Sequence, residues 1–251
     1  MSKLLELKDV SKRFGGVLAV DALSCSIEQG DLVGLIGPNG AGKTTVFNLV
    51  TGVHPLTGGE ILHNGARISG SNPTEIARSG IARTFQNIRL FRSLTVLEHV
   101  LVAQGCRSAK LLAQLSPWAS GAEVERRRQA AELLEVFGLQ GRRDELAVHL
   151  PYGGQRRLEL ARALATSPEL LLLDEPAAGL NDTETDELRT ILDTLRARGH
   201  TILLVEHDMK LVMRLCTRIL VLNFGRLIAA GTPAEVRANQ EVVDAYLGVE
   251  N

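Results

Sequence analysis

Two stretches of this sequence hold residues whose types and order suit phosphate chemistry. The first is Gly37-Pro38-Asn39-Gly40-Ala41-Gly42-Lys43-Thr44, with Thr45 behind it. It fits the phosphate-loop pattern G-x-x-x-x-G-K-[ST]. Glycines let the backbone curl so that successive N–H groups face inward at phosphate oxygens. A helix leaving the loop adds unpaired N–H groups and its positive end. Lys43 brings a full charge to the β- and γ-phosphates of a nucleotide, and Thr44 offers a hydroxyl to Mg2+. The second stretch is Asp174-Glu175, directly after four consecutive leucines. A carboxylate at the tip of a buried strand is costly unless it is paired or near a metal, which places Asp174 to hold Mg2+ through water. Glu175 has a different task. With an ordinary glutamate pKa of about 4.3 it is ionised at neutral pH and suited to orient and polarise an attacking water. A Leu-Leu-Asp-Glu string alone is often only a strand end; downstream of a phosphate loop it supplies the other half of a nucleotide-hydrolysing site.

The elements that must position these residues are legible around them. Short apolar runs alternate with helical periodicity, the signature of an α/β fold. Residues 32–36 read as a buried strand entering the loop, and residues 44–50 as the helix leaving it. The leucines at 170–173 suggest a strand covered on both faces, as in a parallel sheet, and residues 201–205 and 218–222 look like further strands. Leu188, Ile191, Leu192 and Leu195 fall at the spacing of one helix face, with Gly199 as the stop. From about 88 to 150 the reading is mainly helical. Thr95 and Glu98 form a capping box for one helix, and residues 123–137 make another that carries Arg126, Arg127 and Arg128 on a solvated face. Residues 116–118 and 120–121 mark a loop between them. Thr232 and Glu235 form a second capping box opening a helical tail. The expected organisation is an α/β core over 1–87 and 156–231, a helical insert over 88–155, and a tail over 232–251.

Bulk properties narrow the function classes. The 251 residues suit one large domain or a domain with an insert, at 45% hydrophobic and 23% charged. A net charge of −1 gives no sign of a nucleic-acid partner. Cys25, Cys106 and Cys216 are far apart and odd in number, which argues against a disulfide framework. The N-terminus lacks the apolar stretch of a signal peptide, and no apolar run approaches the ~18 residues needed to span a bilayer. If the protein works at a membrane, something else is expected to hold it there.

With these residues in place the chain resembles the ABC ATPase family over almost its whole length. The resemblance implies a P-loop NTPase fold, with a RecA-like core sheet of mainly parallel strands, an antiparallel β region and an inserted helical subdomain. It implies ATP and Mg2+ as cofactors. It places Phe14 where an aromatic ring stacks on adenine, and Gln86 at the glutamine that bridges Mg2+ and the membrane subunit. Pro151, Tyr152, Gly153, Gly154 and Gln155 stand at the signature motif, Asn181 at the D-loop, and His207 at the switch histidine. Catalytic roles thus fall to Glu175, His207 and Gln86, and metal roles to Thr44, Gln86 and Asp174. The signature departs from the common Leu-Ser-Gly-Gly-Gln: Pro151 replaces the serine and Tyr152 the first glycine, and Asn181 replaces an aspartate. Both changes bear on whether two such sites turn over equally.

A finer resemblance is to the ATPases of branched-chain amino acid importers, the LivG type. It is carried by residues 80–91 (Gly-Ile-Ala-Arg-Thr-Phe-Gln-Asn-Ile-Arg-Leu-Phe), by Leu150-Pro-Tyr-Gly, by residues 174–181, by residues 205–209 and by Ala245-Tyr-Leu-Gly248. It implies an ATPase that drives solute uptake from the cytoplasmic face of the inner membrane. The implied partners are membrane permease subunits, a second related ABC ATPase and, indirectly, a solute-binding protein. The alternatives are an importer ATPase for urea, amides or other small solutes, and a non-transport ABC ATPase acting on ribosomes or DNA. A single cassette without long coiled coils argues against the last.

Overall fold

A computed structural model describes residues 3–84, 86, 88–105 and 119–247. The chain divides into two compact units. One comprises residues 1–83, 169–175 and 192–251, and the other residues 84–168 and 176–191. The first unit therefore takes in the C-terminal tail, while residues 156–168 and 176–191 go with the helical unit.

The first unit holds two sheets. The antiparallel sheet runs β2-β1-β4-β5, with β1 (Lys3–Phe14), β2 (Val17–Glu28), β4 (Gly58–His63) and β5 (Ala66–Arg67). β1 and β2 form a long hairpin in which Phe14 pairs with Val17 and Lys12 with Val20. Gly15, at φ +54°, makes the turn. The second sheet runs β10-β9-β3-β8-β7-β6. Its parallel strands are β3 (Leu32–Ile36), β6 (Ile81–Arg83), β7 (Leu170–Asp174), β8 (Thr201–Val205) and β9 (Arg218–Asn223), and β10 (Arg226–Gly231) is antiparallel at the edge. Every residue of β3, β7 and β8 is buried, which is why these strands read as unbroken apolar runs.

One apolar cluster joins both sheets through α1 (Lys43–Val50). Leu5 and Ile27 come from the antiparallel sheet, Leu203 and Leu222 from the mainly parallel one, and Phe47 and Val50 from α1. Phe47 is fully buried, a contribution of about 1.5–3 kcal/mol from its side chain. α1 is thus clamped by the core, and the loop ahead of it inherits a fixed end. α2 (Pro73–Ser79) begins with a capping box between Asn72 and Glu75 and ends at Gly80, whose carbonyl accepts from Glu169 N–H at 2.7 Å. α7 (Met209–Leu215), α8 (Pro233–Ala238) and α9 (Gln240–Leu247) complete the unit, and the Thr232–Glu235 box opens α8 as expected.

In the second unit, α3 (Val96–Gly105), α4 (Ala119–Val136) and α5 (Tyr152–Ala165) pack on one another. The Thr95–Glu98 box starts α3, with Thr95 N–H donating to Glu98 Oε2 at 2.7 Å and Glu98 N–H to Thr95 Oγ1 at 3.2 Å. α4 begins earlier than expected. Residues 120–121 are its first turn rather than part of a loop; a small residue costs little at a position where N–H groups lack intrahelical partners in any case. The arginine run is matched on its own helix. Arg126 and Arg127 bind Glu123 at 3.0 Å, and Arg128 binds Glu125 at 2.7 Å and also Glu132. α6 (Asp182–Ala197) buries the expected leucine and isoleucine stripe. Cys106 and residues 116–118 lie outside the described residues, as do Phe85 and Asn87 of the 80–91 segment and Gly248 of the ending. Burial pushes the thiols of Cys25 and Cys216 up to about 11 and about 12, so both stay protonated and inert. Among the described residues no helix is long and apolar enough to cross a membrane.

Candidate nucleotide site

The loop of residues 37–44 is wedged into the first unit by contacts that exclude a side chain. A Cβ on Gly37 would lie 2.1 Å from the Leu222 carbonyl oxygen, and one on Gly42 2.5 Å from that of Ala19. Gly42, at φ +103°, is the N-cap of α1, and no side chain caps that end. The helix therefore presents its first N–H groups to an anion. Gly225 N–H donates to Ala41 O at 3.0 Å and so ties the β9–β10 turn to the loop.

Residues 39–45, Ala19, Glu175 and His207 line one cleft. Lys43 Nζ donates to the loop's own carbonyls, Gly37 O at 2.7 Å and Pro38 O at 2.9 Å. Burial holds its pKa below the ordinary lysine value, and the nearby Glu175 charge pulls the other way. A partly desolvated ammonium beside free helix N–H groups attracts a polyphosphate strongly. Glu175 follows β7 with φ +49°, a strained conformation for a side-chain-bearing residue. Its N–H donates to Val205 O at 2.9 Å, which fixes the turn. His207 Nε2 lies 2.7 Å from Glu175 Oε1. A carboxylate only accepts, so Nε2 carries the proton in this pair. His207 is held in turn by its neighbours. Its N–H donates to the buried Glu206, and Asp208 caps α7 by accepting from Lys210 and Leu211 N–H.

Asp174 does not line that cleft. One of its oxygens binds Arg83 Nη2 at 2.7 Å, and both side chains are over nine-tenths buried. Arg83 also donates to Asn48 Oδ1 at 2.7 Å and Thr51 Oγ1 at 3.3 Å, and stacks 5.5 Å from the Phe47 ring. The sequence assigns Arg83 no role at the site; its place on β6 beside β7 supplies one. Phe14 is also outside the cleft lining. Its exposed ring meets the edge of His54 at a centroid distance of 5.2 Å, with Lys12 Nζ 4.8 Å over it.

The remaining candidates belong to the second unit. Pro151 is the N-cap of α5 and offers no side-chain cap. Tyr152 hydroxyl donates to Ala178 O at 3.1 Å, and its ring takes the space where a Cβ on Gly179 would lie, 3.0 Å away. Gly153 leaves room for Glu184, whose oxygen would be 2.3 Å from an added Cβ. Gln155 donates to Leu150 O at 2.9 Å. Asn181 and Glu184 form a reciprocal box at the start of α6, at 3.0 and 3.1 Å. Asn181 Oδ1 therefore caps as an aspartate oxygen would. Arg156 donates to Gln86 O at 2.6 Å and pairs with Glu159 at 3.1 Å, and this buried pair was likewise unread in the sequence.

The donors assigned to Mg2+ are all oxygens, from the Thr44 hydroxyl, the Asp174 carboxylate and the Gln86 amide, which suits a hard cation. Among the described residues no group of three His, Cys, Asp or Glu side chains forms a metal cage.

A family model described as "ABC transporter" matches residues 20–178, and one described as "Branched-chain amino acid ATP-binding cassette transporter" matches residues 226–250. The chain is 47% identical over 249 residues to the high-affinity branched-chain amino acid transport ATP-binding protein BraF of Pseudomonas aeruginosa. It is 48% identical over 252 residues to LivG of Escherichia coli, which has the same description, and 98% of each chain is covered in both cases. It is also similar to the crystal structure of an ATP-binding cassette of an ABC transporter in its ADP conformation. That match has a TM-score of 0.86 and 31% identity, covering 99% of this chain and all of the other.

Proposed function

The chain belongs to the ABC transporter family as one of its ATP-binding cassette ATPases, and from that premise we propose that it drives uptake of branched-chain or similar hydrophobic amino acids through membrane permease subunits. The observation that carries the chemistry is the convergence of Lys43, Glu175 and His207 on one cleft beside an uncapped helix end. The identity of nearly half the residues to BraF and LivG over full length supports the solute class.

In this reading the loop N–H groups and Lys43 bind the β- and γ-phosphates, and Phe14 stacks on the base. Glu175 accepts a hydrogen bond from the attacking water and polarises it. His207 acts through Glu175: its Nε2–H fixes the carboxylate's orientation. Mg2+, when bound by Thr44, Asp174 and Gln86 together with the phosphates, supplies charge neutralisation at the reacting phosphoryl group. Arg83 holds the Asp174 carboxylate in place. Gln86 reports nucleotide state to the permease.

The signature residues Pro151 to Gln155 act on the nucleotide of a second cassette. Tyr152 and Pro151 replace the glycine and the serine hydroxyl, leaving backbone N–H groups and the α5 end for the anion. An unequal pair with a related sibling ATPase places this altered signature over the sibling's nucleotide alone. The chain then sits peripherally on the cytoplasmic face of the inner membrane. Affinity purification from native membranes tests the whole assignment. Recovery of a permease pair, a second ATPase and a binding protein that takes leucine, isoleucine or valine supports it. A complex whose binding protein takes urea or an amide points to the alternative importer, and recovery with ribosomes overturns the transport reading.

A further inference from the structure

Arg156 stands in the opening turns of α5, and both it and Glu159 are almost wholly buried, at 3% and 2% exposure. Glu159 accepts from Arg156 Nη1 at 3.1 Å. That pair lies within one helix, so it neutralises the guanidinium but ties α5 to nothing else. The other arm leaves the helix: Nη2 donates to Gln86 O at 2.6 Å. The guanidinium also lies over the Tyr152 ring, 5.7 Å from its centroid, and the Tyr152 hydroxyl donates to Ala178 O at 3.1 Å. All of these residues belong to the second unit. One buried side chain thus joins the peptide of Gln86 to the signature turn at Tyr152 and, through that ring, to residues 178–179. A buried guanidinium is costly to leave with one arm unmatched, so these contacts are kept or lost together. The segment after Gln86 has anchors of its own. Arg162 of α5 donates to Arg89 O, and Phe91 N–H donates to His99 Nε2 at 2.9 Å. Loss of Arg156 therefore frees the Gln86 peptide and leaves residues 89–91 held.

We propose that Arg156 is a positioning residue that fastens the Gln86 peptide to the first turns of α5, so that nucleotide bound at this chain's own phosphate loop sets the signature turn it offers to a second cassette. A shift of the Gln86 carbonyl is carried by the guanidinium to Tyr152 and the turn around it. By linkage, a signature turn engaged on the second cassette favours the Gln86 position that goes with bound nucleotide. The inference rests on the reading of Gln86 as the glutamine that meets Mg2+ at the nucleotide and of Pro151 to Gln155 as the signature.

Amide hydrogen exchange of the full chain, with and without ATP and Mg2+, tests this. Glu175→Gln serves as the parent, so that ATP stays bound and unsplit. In the parent, ATP should slow exchange both over residues 84–94 and over residues 150–160. Arg156→Met/Glu159→Met added to it replaces the buried pair with apolar side chains, so the nucleotide-free melting point should stay near that of the parent. In that variant the ATP effect over 84–94 should remain and the effect over 150–160 should be lost. A role confined to stability would not separate the two peptides. Arg156→Lys carries the same comparison if the double replacement does not fold, since one ammonium cannot serve Glu159 and the Gln86 carbonyl as the forked guanidinium does. An ATP effect over 150–160 that survives in the variant, or one that is absent from the parent while 84–94 responds, overturns the role of Arg156. If ATP binds the parent and neither peptide responds, the reading of Gln86 falls and the inference with it.

Discussion

Replacing Arg83 with methionine should destabilise the first unit severely, without touching any residue that lines the cleft. The guanidinium binds Asp174 at 2.7 Å, and the two side chains are 9% and 7% exposed. Breaking a buried ion pair from one side costs about 3–5 kcal/mol, because the remaining charge stays buried without its partner. The bonds from Arg83 to Asn48 and Thr51 are lost as well, and both residues belong to the α1 region that anchors the loop. For a chain of this length about 1 kcal/mol corresponds to roughly 2–4 °C in melting point, so a fall of roughly 6–20 °C is expected. Scanning calorimetry without nucleotide or Mg2+ measures it. The double variant Arg83→Met/Asp174→Met should lose less than Arg83→Met alone, since an apolar pair replaces a broken ionic one. A single variant within about 1 kcal/mol of wild type, or a double variant whose loss is the sum of the singles, refutes the reasoning.

Other expectations follow from the same structure. Burial holds the imidazole pKa of His63, His99 and His200 below the ordinary value. The unfolded chain therefore binds more protons than the folded one as pH falls through about 6.5, and stability that is complete above that pH is lost below it. The melting point at pH 5.5 should lie below that at pH 7.5, and an equal or higher value contradicts the assignment. Phe14→Ala should weaken ATP and GTP binding alike, by about 1–3 kcal/mol, because stacking is nearly base-blind; calorimetry showing loss of only one nucleotide removes Phe14 as the base platform. Glu175→Gln should bind ATP without splitting it, and light scattering with ATP should show assembly with the sibling ATPase far better than with itself. A tight ATP-dependent homodimer together with brisk turnover of the lone wild-type chain refutes the unequal pair.

What the sequence made legible was local. The loop announces itself because its glycines answer contacts that forbid a Cβ, at Leu222 O and Ala19 O. β3, β7 and β8 announce themselves because every residue is buried and apolar side chains run through them, apart from Asp174 at the end of β7 and Thr201 at the start of β8. The capping boxes at Thr95 and Thr232 join residues three apart and need no tertiary information. By contrast, β1 and β2 went unread. They form a hairpin with exposed positions, so charged residues such as Glu6, Lys8 and Asp9 break the apolar pattern. β6 is three residues long and owes its existence to pairing with β7. Arg83 carries no signal of its own, because its partners Asn48, Thr51 and Asp174 lie tens of residues away, and the reach of Arg156 to Gln86 O is equally remote in sequence. The departures at Pro151, Tyr152 and Asn181 were visible as letters, yet their local logic was not. Tyr152 fills the space over Gly179, and Asn181 caps α6.

The most direct test of the central claim is ATP turnover by the complex purified through this chain and reconstituted in liposomes, with its binding protein and candidate solutes added in turn. Leucine, isoleucine or valine should stimulate hydrolysis, and Glu175→Gln in this chain should abolish the stimulated rate. Stimulation by urea or an amide but not by leucine, or a stimulated rate that survives Glu175→Gln, contradicts the account.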